Sequence, residues 1–248
     1  MRLPVAVVGG FSCTEQGRRN IYMSWRLMPD LTSDSRRMIP KQAMQRAQAL
    51  IARGGRQILG IVGLPGAGKS TLAQALVEAF GDRARVAPMD GFHLAKAELT
   101  RLGRSARKGA PDTFDAAGYV SLLQRLSRPT PGEIVYAPAF HRDIDEPIAG
   151  EIPLPAELPL IVTEGNYLLL DAAGWAGARA FMDEVWFVDV DPAQRQRQLL
   201  ERHMRFGRSR EDALAWIENT DEPNAVRIAA TADRADFRFL LQLPDAAA

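Results

Sequence analysis

The chain has 248 residues, 46% of them hydrophobic and 25% charged, which excludes wholesale disorder, a collagen repeat and a disulfide scaffold. Its 31 Lys and Arg nearly cancel its 30 Asp and Glu, so no global field draws nucleic acid or an anionic membrane, and any basic chemistry must be local. The single cysteine, Cys13, can form neither an internal disulfide nor a Cys/His zinc site, which suits a reducing cytoplasm.

Residues 1–39 show neither helical nor strand periodicity and contain Met23, Met28 and Met38; the expectation is an N-terminal extension, disordered or outside the natural product, ahead of one domain over residues 40–248. Residues 4–11 could pass for a stunted signal core, but no small-x-small cleavage pattern follows before the polar stretch 15–19. The longest apolar runs, such as 158–162 and 185–190, fall far short of the ~20 residues of a membrane helix. From Pro40, the apolar residues Ala43, Ala47, Leu50 and Ile51 predict a short helix that Gly54-Gly55 stops. A β-branched run at 57–62 leads through a glycine-rich turn into a helix carrying Leu72, Ala75, Leu76 and Phe80. Further strands are predicted at 84–88, 160–163, 184–190 and 237–241, and helices at 116–127, 192–206 and 210–231. Strands alternating with helices imply an α/β fold, a parallel sheet with helices on both faces.

Gly63-Leu64-Pro65-Gly66-Ala67-Gly68-Lys69-Ser70, with Thr71 beside it, fits G-x-x-x-x-G-K-[ST] in full. Such a loop turns its N–H groups inward beside the open N-terminus of the next helix and so cradles a polyphosphate. Lys69 would reach the β- and γ-phosphates and the Ser70 hydroxyl would coordinate Mg²⁺. A phosphate loop alone does not separate kinases from switches, so the acids matter. Glu164 ends an apolar strand at the sheet's ligand edge, where it reaches Mg²⁺ or is merely a surface acid. Asp90, just past the strand at 84–88, is the candidate base for an attacking hydroxyl; the rival reading makes it the N-cap of a helix from Leu94. Arg195, Arg202 and Arg205 fall on one face of the helix at 192–206, either a lid that closes over a triphosphate or a solvated face. His93, His141 and His203 are candidate substrate or phosphate contacts, or packing residues.

On these segments the chain resembles the P-loop kinase family that includes uridine kinase, phosphoribulokinase and type I pantothenate kinase. Within it, the run 136–150 and Thr163-Glu164-Gly165-Asn166-Tyr167 look like a bacterial nucleoside/nucleotide kinase-like group, some members of which are called fructose-transport kinases. The resemblance implies a P-loop NTPase fold with about five parallel strands and a helical lid. It also implies ATP with Mg²⁺ as cofactors and a small-molecule acceptor phosphorylated on a hydroxyl. It supports Asp90 and Glu164 in the roles above, places Lys108, Tyr136, His141 and Arg142 near the acceptor, and puts Arg234 in a nucleotide-side motif. Expected acceptors are a sugar, a nucleoside or a pantothenate-like alcohol. The competing reading is a nucleotide switch or an NTPase without acceptor. No nucleic-acid or membrane partner is expected, and a homodimer stays open.

Overall fold

The structure is a computed structural model that describes residues 38–172 and 174–242. The expectations for residues 1–37, Cys13 among them, lie outside the described residues. Helix α1 (Lys41–Ala52) precedes strand β1 (Gln57–Gly63), the phosphate-loop turn and α2 (Lys69–Phe80). β2 (Ala84–Pro88), α3 (Lys96–Arg101) and α4 (Ala116–Leu126) follow. A hairpin, β3 (Ile134–His141) and β4 (Glu146–Pro155), separates them from β5 (Leu160–Gly165), β6 (Glu184–Asp189) and α5 (Pro192–Arg205). α6 (Arg210–Trp216), α7 (Glu222–Ala229) and β7 (Phe237–Leu240) complete the order.

The main sheet has five parallel strands in the order β2-β5-β1-β6-β7. β1 is central and buried on both faces because its side chains alternate. Ile58 and Val62 pack with α4, the hairpin, Tyr167 and Trp175 on one side. Leu59 and Ile61 pack with α1, α2 and Trp186 on the other. The predicted α1 stripe of Ala43, Ala47, Leu50 and Ile51 is what that second face covers. Register does the rest of the positioning: Ile61 and Pro88 both stand opposite Glu164, and Gly63 stands opposite Val188. The carboxyl ends of β2, β5, β1 and β6 therefore finish at one edge. There the connection from β1 runs toward β2 while β6 and β7 are added on the opposite side, the arrangement that leaves a ligand crevice.

Three expectations change. The helix expected over 210–231 is broken at Ile217–Asp221 by a wide π-type turn between α6 and α7. Pro223, in the first turn of α7, has no N–H to give the preceding turn, and the widened turn absorbs the loss. The β3–β4 hairpin falls in a segment where the sequence offers a strand only as the alternative to acceptor contact for Tyr136 and Phe140. Its strands carry Pro138, Pro147, Pro153 and Pro155, which weaken a strand signal, and the ladder slips its register between Ala137 and Ala139, around Pro138. The helix after Asp90 begins at Lys96, behind a 3₁₀ turn at Met89–Phe92, and the Asp90 side chain caps neither.

Candidate active site

The turn after β1 depends on two glycines with positive φ, Gly66 at 82° and Gly68 at 79°. This left-handed backbone is costly for any side chain with a Cβ. Gly66 also has no room for one, since a Cβ there would lie 2.8 Å from Leu199 Cγ and 3.1 Å from Arg195 O. Helix α5 thus lies directly on the loop. Gly68 is the N-cap of α2 and supplies no side-chain cap, and the first turn of α2 holds no acid. The helix consequently presents uncapped amides and its positive dipole end to the crevice. Lys69 is 8% exposed and its Nζ donates to Leu64 O at 3.0 Å, bracing the loop from within.

Pro65, Lys69 and Ser70 face a cavity of about 510 Å³ at the sheet edge. Across it stand Glu164 from the end of β5 and Asp90 from the turn after β2. Ser70 Oγ donates to Glu164 Oε1 at 3.1 Å. Arg142, from the hairpin tip, donates to Asp90 Oδ2 at 3.1 Å. The Asp90 carboxylate is 28% exposed, and its main-chain oxygen lies 2.8 Å from His93 Nδ1. His93 in turn stacks with Phe114 and Phe140, at centroid distances of 3.9 and 4.6 Å. Lys108 reaches over Phe140 and pairs with Asp145 at 3.0 Å.

The electrostatics follow from this crowding. Burial pushes the Lys69 ammonium down to about 8, against the opposing pull of Glu164 and Asp90. Glu164 is raised above the usual carboxylate range by burial and by the Asp90 charge, with Lys69 and the Ser70 hydrogen bond opposing. Burial alone would raise Asp90 too, but His93, Arg142, Lys69 and Arg202 together hold it below its ordinary value. Burial also lowers His93 and Arg202.

Of the expected contacts, Asp90, Lys69, Ser70, Pro65, His93, Lys108, Arg142, Glu164, Arg202 and His203 line one cavity. Gly63 and Ala67 support the loop from behind, and Thr71, the third residue of α2, is partly buried. Besides the loop residues Gly63, Gly66, Ala67, Gly68 and Thr71, five expected contacts lie outside the lining. Tyr136 is 54% exposed, because Val135 and Ala137 take the inward positions of β3 and strand alternation turns Tyr136 outward. His141 is bonded to Glu151 of the facing strand. Arg205 is exposed at the last residue of α5, while Arg195 turns inward, bonded to Pro65 O and Glu222. Arg234 donates to Leu169 O. Phe114, Asn166, Arg208, Trp216, Thr220, Asp221 and Asn224 also line the cavity. Thr220 and Asp221 come from the π-type turn, which no local periodicity announces.

The residues fit a magnesium nucleotide. The loop is a cradle that a Cβ would fill, and Ser70 and Glu164 form a hard-oxygen pair beside it. Among the described residues no cluster of three metal-ligating side chains exists, in keeping with an ion held by one or two protein oxygens and by phosphates.

The fold and this site define a phosphate-loop kinase, and comparison with known proteins carries that further. No family profile matches the chain. A Schizosaccharomyces pombe protein provisionally named a uridine kinase is 32% identical over 192 residues, covering 74% of this chain and 81% of that protein. An ATP-dependent kinase-like protein of Aspergillus versicolor is 37% identical over 145 residues, covering 55% of this chain and 84% of that protein. The crystal structure of a provisionally named fructose transport system kinase from Silicibacter sp. TM1040 superposes with a TM-score of 0.69 at 36% identity, covering 79% of this chain and 98% of that one. The chain belongs to the P-loop kinase family that includes uridine kinase and pantothenate kinase. It is a small-molecule kinase that uses ATP and Mg²⁺.

Proposed function

We propose that this kinase moves the γ-phosphoryl group of ATP to a hydroxyl of a small polar metabolite, a sugar, a nucleoside or a pantothenate-like alcohol. The observation that carries the reading is the placement of Asp90 in the same cavity as Lys69, Ser70 and Glu164, so that an alcohol beside Asp90 can face a phosphoryl group held by the loop. The loop amides and Lys69 hold the β- and γ-phosphates, and Ser70 and Glu164 hold the ion. Mg²⁺, when bound, neutralises charge on the phosphate oxygens. Arg202, on the helix that covers the loop, offsets charge that develops on the transferring group. Asp90, ionised at neutral pH because the surrounding cations hold it low, orients the acceptor hydroxyl and takes its proton as the new O–P bond forms. The bond from the γ-phosphorus to the β-phosphate oxygen breaks and ADP leaves. Arg142 donates to Oδ2 of Asp90 in this structure, so the acceptor hydroxyl approaches a carboxylate that the guanidinium already orients.

The test is incubation of the full chain with labelled MgATP and a panel of alcohols, with the product identified by mass. A phosphorylated alcohol is the expected result. ATP hydrolysis with no phosphorylated acceptor across a broad metabolite extract would contradict the reading.

A further inference from the structure

Each carboxylate in the cavity is already engaged. Asp90 pairs with Arg142, Asp145 with Lys108, Asp221 with His203, and Glu164 accepts from Ser70. Two cavity-lining guanidinium groups, Arg202 and Arg208, have no carboxylate partner among the described residues. The charges around Arg202 are Arg142, Asp221, Asp90 and Glu164, the last two beside the phosphate loop. Around Arg208 the charges are Asp145, Asp221 and Asp212, none of them close enough to form an ion pair with it. Arg208 follows Gly207, whose φ of 95° turns the chain away from α5, and its guanidinium carbon lies over the Trp216 indole, 3.7 Å from the ring centroid. A cation–π contact of this kind holds the guanidinium in place through the ring face and does not use up its N–H donors, which can still bind an anion.

The aromatic surfaces of the cavity are engaged as well. His93 stacks with Phe114 and Phe140, Lys108 covers Phe140, and Arg208 covers Trp216. A nucleobase gains most from open ring faces of this kind, whereas a compact anionic group needs a positioned cation that no ion pair already holds.

We infer that Arg208, held on Trp216, is a specificity-determining residue that binds an anionic group of the acceptor, so that the substrate is an alcohol that also carries a carboxylate or a phosphate. The inference rests on the kinase reading above and narrows its acceptor class. Carboxylate and phosphate present the same chemistry to a guanidinium, and the assay must separate them.

The experiment measures kcat and KM for matched acceptors: a hydroxy acid against its primary amide, a sugar monophosphate against the parent sugar, and a nucleoside. Wild-type protein is expected to favour the charged member of one pair by at least about tenfold in kcat/KM, and that pair names the anion. In Arg208→Gln, the charged-to-neutral ratio should fall by about 10- to 100-fold, mainly through acceptor KM. Arg208→Lys should recover part of the preference, and thermal melting verifies that both variants fold. Equal use of charged and neutral members, preference for the nucleoside, or an unchanged ratio in Arg208→Gln would each overturn the inference while leaving the kinase reading intact. Phosphoryl transfer to no member of the panel and to no alcohol in a metabolite extract would instead overturn the kinase reading, and this inference with it.

Discussion

Lys69 shows how function and stability oppose each other within one side chain. Its ammonium is buried inside the loop proposed to hold phosphate, and burial holds it at about 8 rather than near 10.5. A lysine whose folded value is lowered costs stability while charged. The cost is full below about pH 8 and disappears as pH rises toward the unfolded value. A shift of this size corresponds to about 3 kcal/mol at the outside. Lys69→Met should therefore lose phosphoryl transfer by at least about a hundredfold and yet unfold at a higher denaturant midpoint than the wild type at pH 7, without nucleotide. That advantage should shrink as the pH is raised toward 10. A variant less stable than the wild type at pH 7 would show that the ammonium is well compensated by Glu164 and Asp90. The residues of this end were readable in the chain because a phosphate loop is a local pattern: Gly66, Gly68, Lys69 and Ser70 are contiguous. The acceptor end was readable only in part. Lys108 and Arg142 reach the cavity from segments far apart in sequence, and Arg208 and Trp216 carry no motif.

Among the elements, α5 links lid and loop. Arg195 is buried, with one donor on Pro65 O and another on Glu222 of α7. Leu199 closes against Gly66. Removing the acid leaves a buried guanidinium short of a partner, so Glu222→Ala should lower stability by about 1–3 kcal/mol, seen as a lower denaturant midpoint, and should raise the KM for ATP through a loosened α5. No change in either quantity would mean that the contact with Pro65 alone holds the helix. The seven-residue spacing of Arg195 and Arg202 placed both inward, as the helical repeat requires, but it could not tell that Arg195 would be used as a brace. Regular elements with strong periodicity, β1, α2, β2 and β5, lie within a few residues of where their patterns put them. The proline-bearing hairpin and the π-type turn did not follow from local pattern, because both are set by packing against distant parts of the fold.

For the molecule as a whole, the five-stranded order places the phosphate loop, Glu164 as the proposed ion-binding acid and Asp90 as the proposed base on three adjacent strand ends. A ligand that bridges loop, lid and sheet edge binds only the folded chain and stabilises it by mass action. MgATP at about a hundred times its Kd should raise the melting temperature by roughly 5–10 °C, and chelation of the magnesium should remove most of that gain. An equal shift with and without the metal would argue against Ser70 and Glu164 as its holders.

The most direct measurement is single-turnover phosphoryl transfer in Asp90→Asn beside calorimetric ATP binding by the same preparation. The expected result is transfer slowed by at least about a hundredfold with the Kd for MgATP within about threefold of the wild type. Transfer at the wild-type rate would contradict the assignment of Asp90 as the group that faces the phosphate loop across the reacting atoms.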